Sequence, residues 1–288
     1  MITANLHKEL SLASGNGALN VNLTFNHGVV TSLYGDSGVG KTMILRMLAG
    51  LEIPDGGSIE HNAQAWFADS RAKGPTIDKR QIGFVFQDYG LFPNMSVEEN
   101  IQFAVADGNE ALVQYYIEAF ELNELKDKRP ANLSGGQKQR TAIARALVFK
   151  PKILLLDEPF TAQDKRMSTI IGQEILKYTK EEQCVTILVT HNIAATMQLA
   201  TYVYSISKGE VIKEGTVDEV FLGNSTQRNG IHGVVAEKVR SNDQENLIIL
   251  ANDQLFELRD EGDFDYEVGD EVFLTLDQKT KIFQLQKL

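Results

Sequence analysis

Cysteine is almost absent: Cys184 is the single one in 288 residues. A lone thiol excludes a disulfide within the chain and suits a reducing compartment. It opens the apolar run Cys184-Val185-Thr186-Ile187-Leu188-Val189 and reads as a buried strand residue. Long apolar runs are also missing. No stretch nears the ~18 apolar residues of a membrane-crossing helix. The opening Met1-Ile2-Thr3-Ala4-Asn5-Leu6-His7-Lys8-Glu9 lacks the apolar core of a secretory signal. The expectation is a chain that does not cross a bilayer alone. Positive charge is scarce: 28 Lys and Arg stand against 39 Asp and Glu, a net −11. Such a chain repels nucleic acid. Heptads, internal repeats and low-complexity tracts are lacking as well.

What is present argues for a large domain followed by a small one. Hydrophobic residues make up 43% of the chain, enough for a sizeable core. Four short, β-branched apolar runs stand out: Val29 to Tyr34, Ile82 to Phe86, Ile153 to Leu156 and Val185 to Val189. Unbroken runs of this length suit parallel strands buried on both faces. Helical spacing lies between them, at Lys41 to Gly50, Gly136 to Phe149 and Arg166 to Lys180. This alternation predicts an α/β sheet covered by helices. A more helical stretch, about residues 88–132, reads as a subdomain inserted into that core. After the linker-like Gly223 to Gly230, short alternating segments over about 230–288 read as a small all-β module.

Three segments carry chemistry. Gly35-Asp36-Ser37-Gly38-Val39-Gly40-Lys41-Thr42 follows a strand and opens a helix, and fits G-x-x-x-x-G-K-[ST]. Its glycines let backbone N–H groups converge on phosphate at a helix N-terminus. Lys41 is placed to reach the β- and γ-phosphates of ATP, and Thr42 to bind Mg²⁺. Ile153-Leu154-Leu155-Leu156-Asp157-Glu158 is an apolar strand that ends in two carboxylates. In open α/β sheets that edge is where ligands sit. Asp157 suits Mg²⁺, and Glu158 suits orienting or deprotonating a water. Taken alone, the pair reads equally well as solvated acids at a strand end. Leu133-Ser134-Gly135-Gly136-Gln137 opens a second helix. It reads as a second phosphate-binding helix N-terminus or as a plain Ser134 cap.

Together with Gln87 after one strand and His191 after another, these segments occur in the order found in ABC-transporter ATPases. The resemblance covers about residues 1–222 and implies a P-loop NTPase core. It implies head-to-tail homodimers that sandwich ATP between Gly35–Thr42 of one copy and Ser134, Gly135, Gly136 and Gln137 of the other. It implies that Gln87 touches Mg²⁺ and water and senses a membrane permease, that His191 contacts the γ-phosphate, and that Asp164 lies in a loop crossing the dimer interface. The catalytic set so implied is Glu158, His191 and Gln87; the metal set is Thr42, Gln87 and Asp157.

Two departures stand out. The loop that usually reads Ser-Ala-Leu-Asp is Thr161-Ala162-Gln163-Asp164 here, which puts its interface packing in question. The region Leu10 to Gly17 also lacks the aromatic residue on which many relatives stack adenine.

The β module after the cassette resembles the importer branch, whose C-terminal modules of oligonucleotide-binding-like shape regulate transport or help dimerisation. Trp66-Phe67-Ala68-Asp69-Ser70, the segment Lys79 to Asp88 and Leu91-Phe92-Pro93 are similar to molybdate-transporter ATPases. The middle segment is shared with sulfate, iron and sugar importers. The expectation is a peripheral ATPase on the cytoplasmic face of the membrane, powering uptake of molybdate or a related oxyanion through permease subunits. A substrate-binding protein would be an indirect partner and nucleic acid no partner. The alternatives are iron, sulfate, sugar or polyamine import, a soluble cassette acting on ribosomes or DNA, and a scaffold that binds ATP without turnover. From Ser241 to Glu271 eleven acidic residues face one basic one, so the β module is expected to present an acidic, solvated face.

Overall fold

The computed structural model describes every residue except 13–14, 69–70, 73, 106–107, 223–229, 242–243, 252–253, 260–265, 277–282 and 288. Asp69 and Ser70, most of the linker-like segment and six of the eleven acidic positions therefore lie outside the described residues. The chain divides into two compact units, Met1–Val220 and Phe221–Leu288.

In the first unit, β1 (Ile2–Leu12) and β2 (Gly15–Phe25) precede β3 (Val30–Tyr34), helix α1 (Lys41–Ala49) and β4 (Gly56–His61). Then come β5 (Gln64–Ala68), β6 (Arg71–Ala72), β7 (Ile82–Val85), α2 (Val97–Gln102) and α3 (Glu110–Ala119). The unit continues with α4 (Gly135–Val148), β8 (Ile153–Asp157), α5 (Lys165–Glu181), β9 (Val185–Thr190), α6 (Ile193–Leu199), β10 (Tyr202–Ser207) and β11 (Glu210–Thr216). Eleven strands form one mixed sheet in the order β6-β5-β4-β1-β2-β11-β10-β3-β9-β8-β7. The run from β10 to β7 is parallel. Each of the four apolar runs is a strand of that part, within a residue or two of the predicted ends.

Side-chain alternation explains why these strands carry no polar face. Along β8, Ile153 and Leu155 enter one core with α1, while Leu154 and Leu156 enter the other with α4 and α5. All four are fully buried. The sheet therefore has a core on each side, as unbroken apolar strands require. The inserted stretch contributes α2, α3 and short 3₁₀ turns that pack against α4. Its first helix starts at a reciprocal cap: Ser96 Oγ accepts from Glu99 N–H at 3.2 Å, and Glu99 Oε2 accepts from Ser96 N–H at 2.7 Å. Cys184 is buried in this unit, and desolvation pushes its thiol up to about 12, so it packs as an apolar group.

The other half of the sheet, where β1 pairs antiparallel with β2 and β4, was not drawn strand by strand from the sequence. Its strands alternate buried and exposed residues, with Ile2, Ala4 and Leu6 inside and Asn5 and His7 outside.

The second unit is a five-stranded antiparallel sheet in the order β14 (Gln254–Arg259), β13 (Gln244–Ala251), β12 (Gly230–Ser241), β15 (Glu271–Leu276), β16 (Phe283–Lys287). Val235, Leu247, Ile249, Val272 and Leu274 form its small core around Tyr266.

Candidate functional site

The site lies at the C-terminal ends of β3, β8 and β9, where the parallel strands release their following loops. Leaving β3, the chain turns at Gly35, with φ +150°. A Cβ there would stand 2.1 Å from the carbonyl oxygen of Ile206 on neighbouring β10, so only glycine fits. The loop then runs into α1, whose cap Gly40 also has positive φ. Lys41 is 5% exposed. Its ammonium donates to Gly35 O at 2.5 Å and Asp36 O at 2.6 Å. Burial lowers the Lys41 pKa, and the charges of Glu158, Asp36 and Asp157 partly offset this.

Thr42 Oγ1 donates to Asp157 Oδ1 at 3.0 Å, joining the phosphate loop to β8. Asp157 is 2% exposed. Its pKa is raised, first by burial, against the Thr42 hydrogen bond that lowers it, and with help from the neighbouring Glu158 charge. A hydroxyl and a desolvated carboxylate converging in this way fit a small divalent cation such as Mg²⁺, which binds through one or two carboxylates plus substrate phosphate.

Glu158 is held in a left-handed backbone conformation, φ 50°. For a residue with a Cβ this costs about 1–3 kcal/mol and tends to occur at functional sites. Several bonds hold it there. Its N–H donates to Val189 O at 3.0 Å, and its own carbonyl accepts from Gln139 Nε2 at 2.8 Å and from Thr161 Oγ1 at 3.3 Å. The carboxylate accepts from Thr190 Oγ1 at 3.3 Å and faces His191 Nδ1 at 2.7 Å. A carboxylate can only accept, so the imidazole donates from Nδ1 and keeps Nε2 for a ligand. A cavity of about 280 Å³ brings Ser37, Gly38, Gly40, Lys41, Thr42, Gln87, Asp157 and Glu158 together.

The Ser134 segment does not line that cavity among the described residues. It starts α4 with a second reciprocal cap: Ser134 Oγ accepts from Gln137 N–H at 3.3 Å, and Gln137 Oε1 accepts from Ser134 N–H at 2.9 Å. A Cβ on Gly136 would lie 2.5 Å from Ala162 O, so the loop carrying Asp164 packs directly on this helix end. Asp164 caps α5 by accepting from Met167 N–H at 2.8 Å.

Gln139 is a positioning residue that the sequence did not mark, and Gln163 stood out there only as a departure. Gln163 Nε2 donates to Gly136 O at 2.7 Å and lies 3.5 Å from Gln139 Oε1. Gln139 in turn bonds Glu158 O. The Gln163 departure is thus a tie between the two loops. Nothing in the local pattern marked Gln139, because its partners lie 19 and 24 residues away.

The raised Asp157 pKa carries a stability prediction. The folded chain holds this proton more tightly than the unfolded chain. The ionised form therefore costs stability, absent below the ordinary value of 3.8 and growing as pH rises through the folded value. Asp157→Asn keeps an acceptor for Thr42 and removes the charge. Without nucleotide it is expected to melt above wild type at pH 7 while losing cation-dependent hydrolysis. A melting scan tests this, and a lower melting temperature contradicts it.

Comparison with known proteins agrees with this geometry. The family model "ABC transporter" matches residues 18–161. The chain is 37% identical over 230 residues to a sulfate/thiosulfate import ATP-binding protein of Agrobacterium fabrum, covering 73% of this chain and 66% of that protein. It is 36% identical over 245 residues to the counterpart in Nephroselmis olivacea, covering 83% and 70%. The chain thus spans about two-thirds of the length of these curated relatives. Among solved structures it is similar to the dimeric ATP-binding cassette MJ0796 bound to ADP and Pi, with TM-score 0.67, 28% identity, and coverage of 75% and 99%. It is also similar to cbiO1 of Clostridium perfringens, with TM-score 0.63, 31% identity, and coverage of 76% and 89%. The chain belongs to the ABC transporter family and carries its ATPase cassette.

Proposed function

We propose that this chain is the ATP-hydrolysing subunit of an importer for sulfate or a related oxyanion such as thiosulfate. One observation carries the hydrolysis reading: Lys41, Thr42, Gln87, Asp157 and Glu158 line one cavity. The oxyanion rests on the relatives, which are named for sulfate and thiosulfate import. Those names favour the sulfate alternative over the molybdate expectation.

The chemistry follows from the side chains. Lys41 and the backbone N–H groups of Gly38 to Thr42 bind the phosphates. Thr42, Asp157 and Gln87 would hold Mg²⁺, which would supply neutralising charge on the phosphates. Glu158 orients a water and accepts its proton, and His191, on the same carboxylate, keeps Nε2 for the γ-phosphate. A second copy supplies Ser134, Gly135, Gly136 and Gln137 across the nucleotide. The similar cassette is dimeric in two solved structures, one of them bound to ADP and Pi, which supports the pairing of two copies.

The permease is expected to dock on the segment from Gln87 to Asn100. An apolar groove of about 520 Å³ beside it is lined by Phe84, Phe86, Phe92, Phe103 and Phe149, with Arg145 among them. No helix among the described residues is long and apolar enough to cross a membrane. The importer reading places the chain peripherally on the cytoplasmic face, with a substrate-binding protein as an indirect partner. The C-terminal sheet would serve regulation or dimerisation.

Uptake of radiolabelled sulfate tests the cargo. Deleting this chain should abolish high-affinity uptake, and wild type but not Glu158→Gln should restore it. Unchanged sulfate and thiosulfate uptake in the deletion strain would remove both as cargo.

A further inference from the structure

We propose that Gln163 is a positioning residue for hydrolysis: through Gln139 it holds the strained turn of Glu158, and it fixes that turn to Gly136. The inference rests on the hydrolysis reading above and adds to it a residue that stands where the loop usually has leucine. The Glu158 backbone, at φ 50°, is held from two sides. Its N–H donates to Val189 O at 3.0 Å. Its carbonyl accepts from Gln139 Nε2 at 2.8 Å and from Thr161 Oγ1 at 3.3 Å. A turn that shifts moves the Glu158 carboxylate with it, away from the water it is to orient.

Gln139 is 1% exposed, and both ends of its side-chain amide need partners. The nitrogen serves Glu158 O. The oxygen has one donor within reach among the described residues, Gln163 Nε2 at 3.5 Å. That contact is at the outer edge of hydrogen-bonding distance. The same nitrogen, however, is anchored at 2.7 Å on Gly136 O, which leaves its second hydrogen for Gln139. An amide that turned over would set its oxygen against the Glu158 carbonyl. A donor at Oε1 selects the orientation that donates to Glu158 instead, and an apolar residue at position 163 has no donor to give.

The other end of the link has its own meaning. Gly136 belongs to the segment assigned above to the other copy's nucleotide. It is packed so closely on this loop that an added Cβ would lie 2.5 Å from Ala162 O and 3.4 Å from Gln163 Nε2. One side chain thus joins that segment to the turn that carries this chain's own base.

Gln163→Met has nearly the same length, stays uncharged and removes both donors. In steady-state hydrolysis by the full chain its kcat should fall by about 2- to 13-fold, the scale of one neutral hydrogen bond, with KM within about twofold of wild type. Gln139→Met should lose at least as much. The double variant should be no worse than Gln139→Met alone, because the two side chains act in series. An unchanged kcat in Gln163→Met, losses that multiply in the double variant, or a fall carried by KM alone overturns the proposal. Amide hydrogen exchange at Glu158 in the nucleotide-free chain reads the same turn without turnover. It should quicken in Gln163→Met by the same factor, and an unchanged exchange rate also overturns the proposal. Should wild type hydrolyse no ATP, the hydrolysis reading fails, and the exchange rate alone decides whether Gln163 holds the turn.

Discussion

Glu158→Gln is expected to lower ATP hydrolysis by about 10²–10⁴-fold, the span a positioned general base contributes, while nucleotide affinity stays near wild type. The two side chains have nearly the same shape, so the left-handed turn at this residue and its backbone bonds to Val189, Gln139 and Thr161 survive the change. What is lost is the capacity to take a proton from water. The neutral amide also ends the charge that His191 faces at 2.7 Å. Single-turnover hydrolysis and equilibrium binding of the same preparation separate the two effects. A variant that turns over at the wild-type rate would exclude Glu158 as the base.

Lys41→Ala should fail in the opposite way, at binding. Hydrogen bonds to charged groups contribute about 1.5–3 kcal/mol, so the loss in ATP affinity is about 10- to 150-fold. Removing the ammonium also leaves Asp36, Asp157 and Glu158 without the cation whose pKa they raise. The phosphates would then meet an acidic cavity instead of a balanced one. Titration with a non-hydrolysable ATP analogue reads this directly. Affinity unchanged from wild type would show that the loop backbone alone binds the triphosphate.

The parts of the molecule written in local pattern were legible in the sequence. Strands β3, β7, β8 and β9 are unbroken apolar runs, because a parallel sheet with a core on both sides tolerates no polar face. The phosphate loop was legible because its glycines are forced, as the contact between Gly35 and Ile206 shows. The antiparallel arm was harder. Residues of β1 pair with β4 some fifty positions away, and alternation alone does not say which strands meet.

The least legible features were tertiary hydrogen bonds. The Gln163 departure gave a warning about the loop, yet only the fold shows its amide turned back onto Gly136 and Gln139. The strained backbone of Glu158 likewise leaves no mark in the sequence. The cargo was the weakest inference. The apolar and aromatic segments compared with molybdate-type proteins belong to the sheet and to the groove beside Gln87, elements that the relatives named for sulfate can share.

If two copies share each ATP, the pairing should show in the mass of Glu158→Gln in sedimentation with ATP. The expected species are a monomer without nucleotide and a dimer with ATP, and the dimer is lost when Gly136→Asp is added, because the added carboxylate would collide with Ala162 O and repel the phosphates. A Glu158→Gln chain that binds ATP fully and still sediments as a monomer would contradict the pairing.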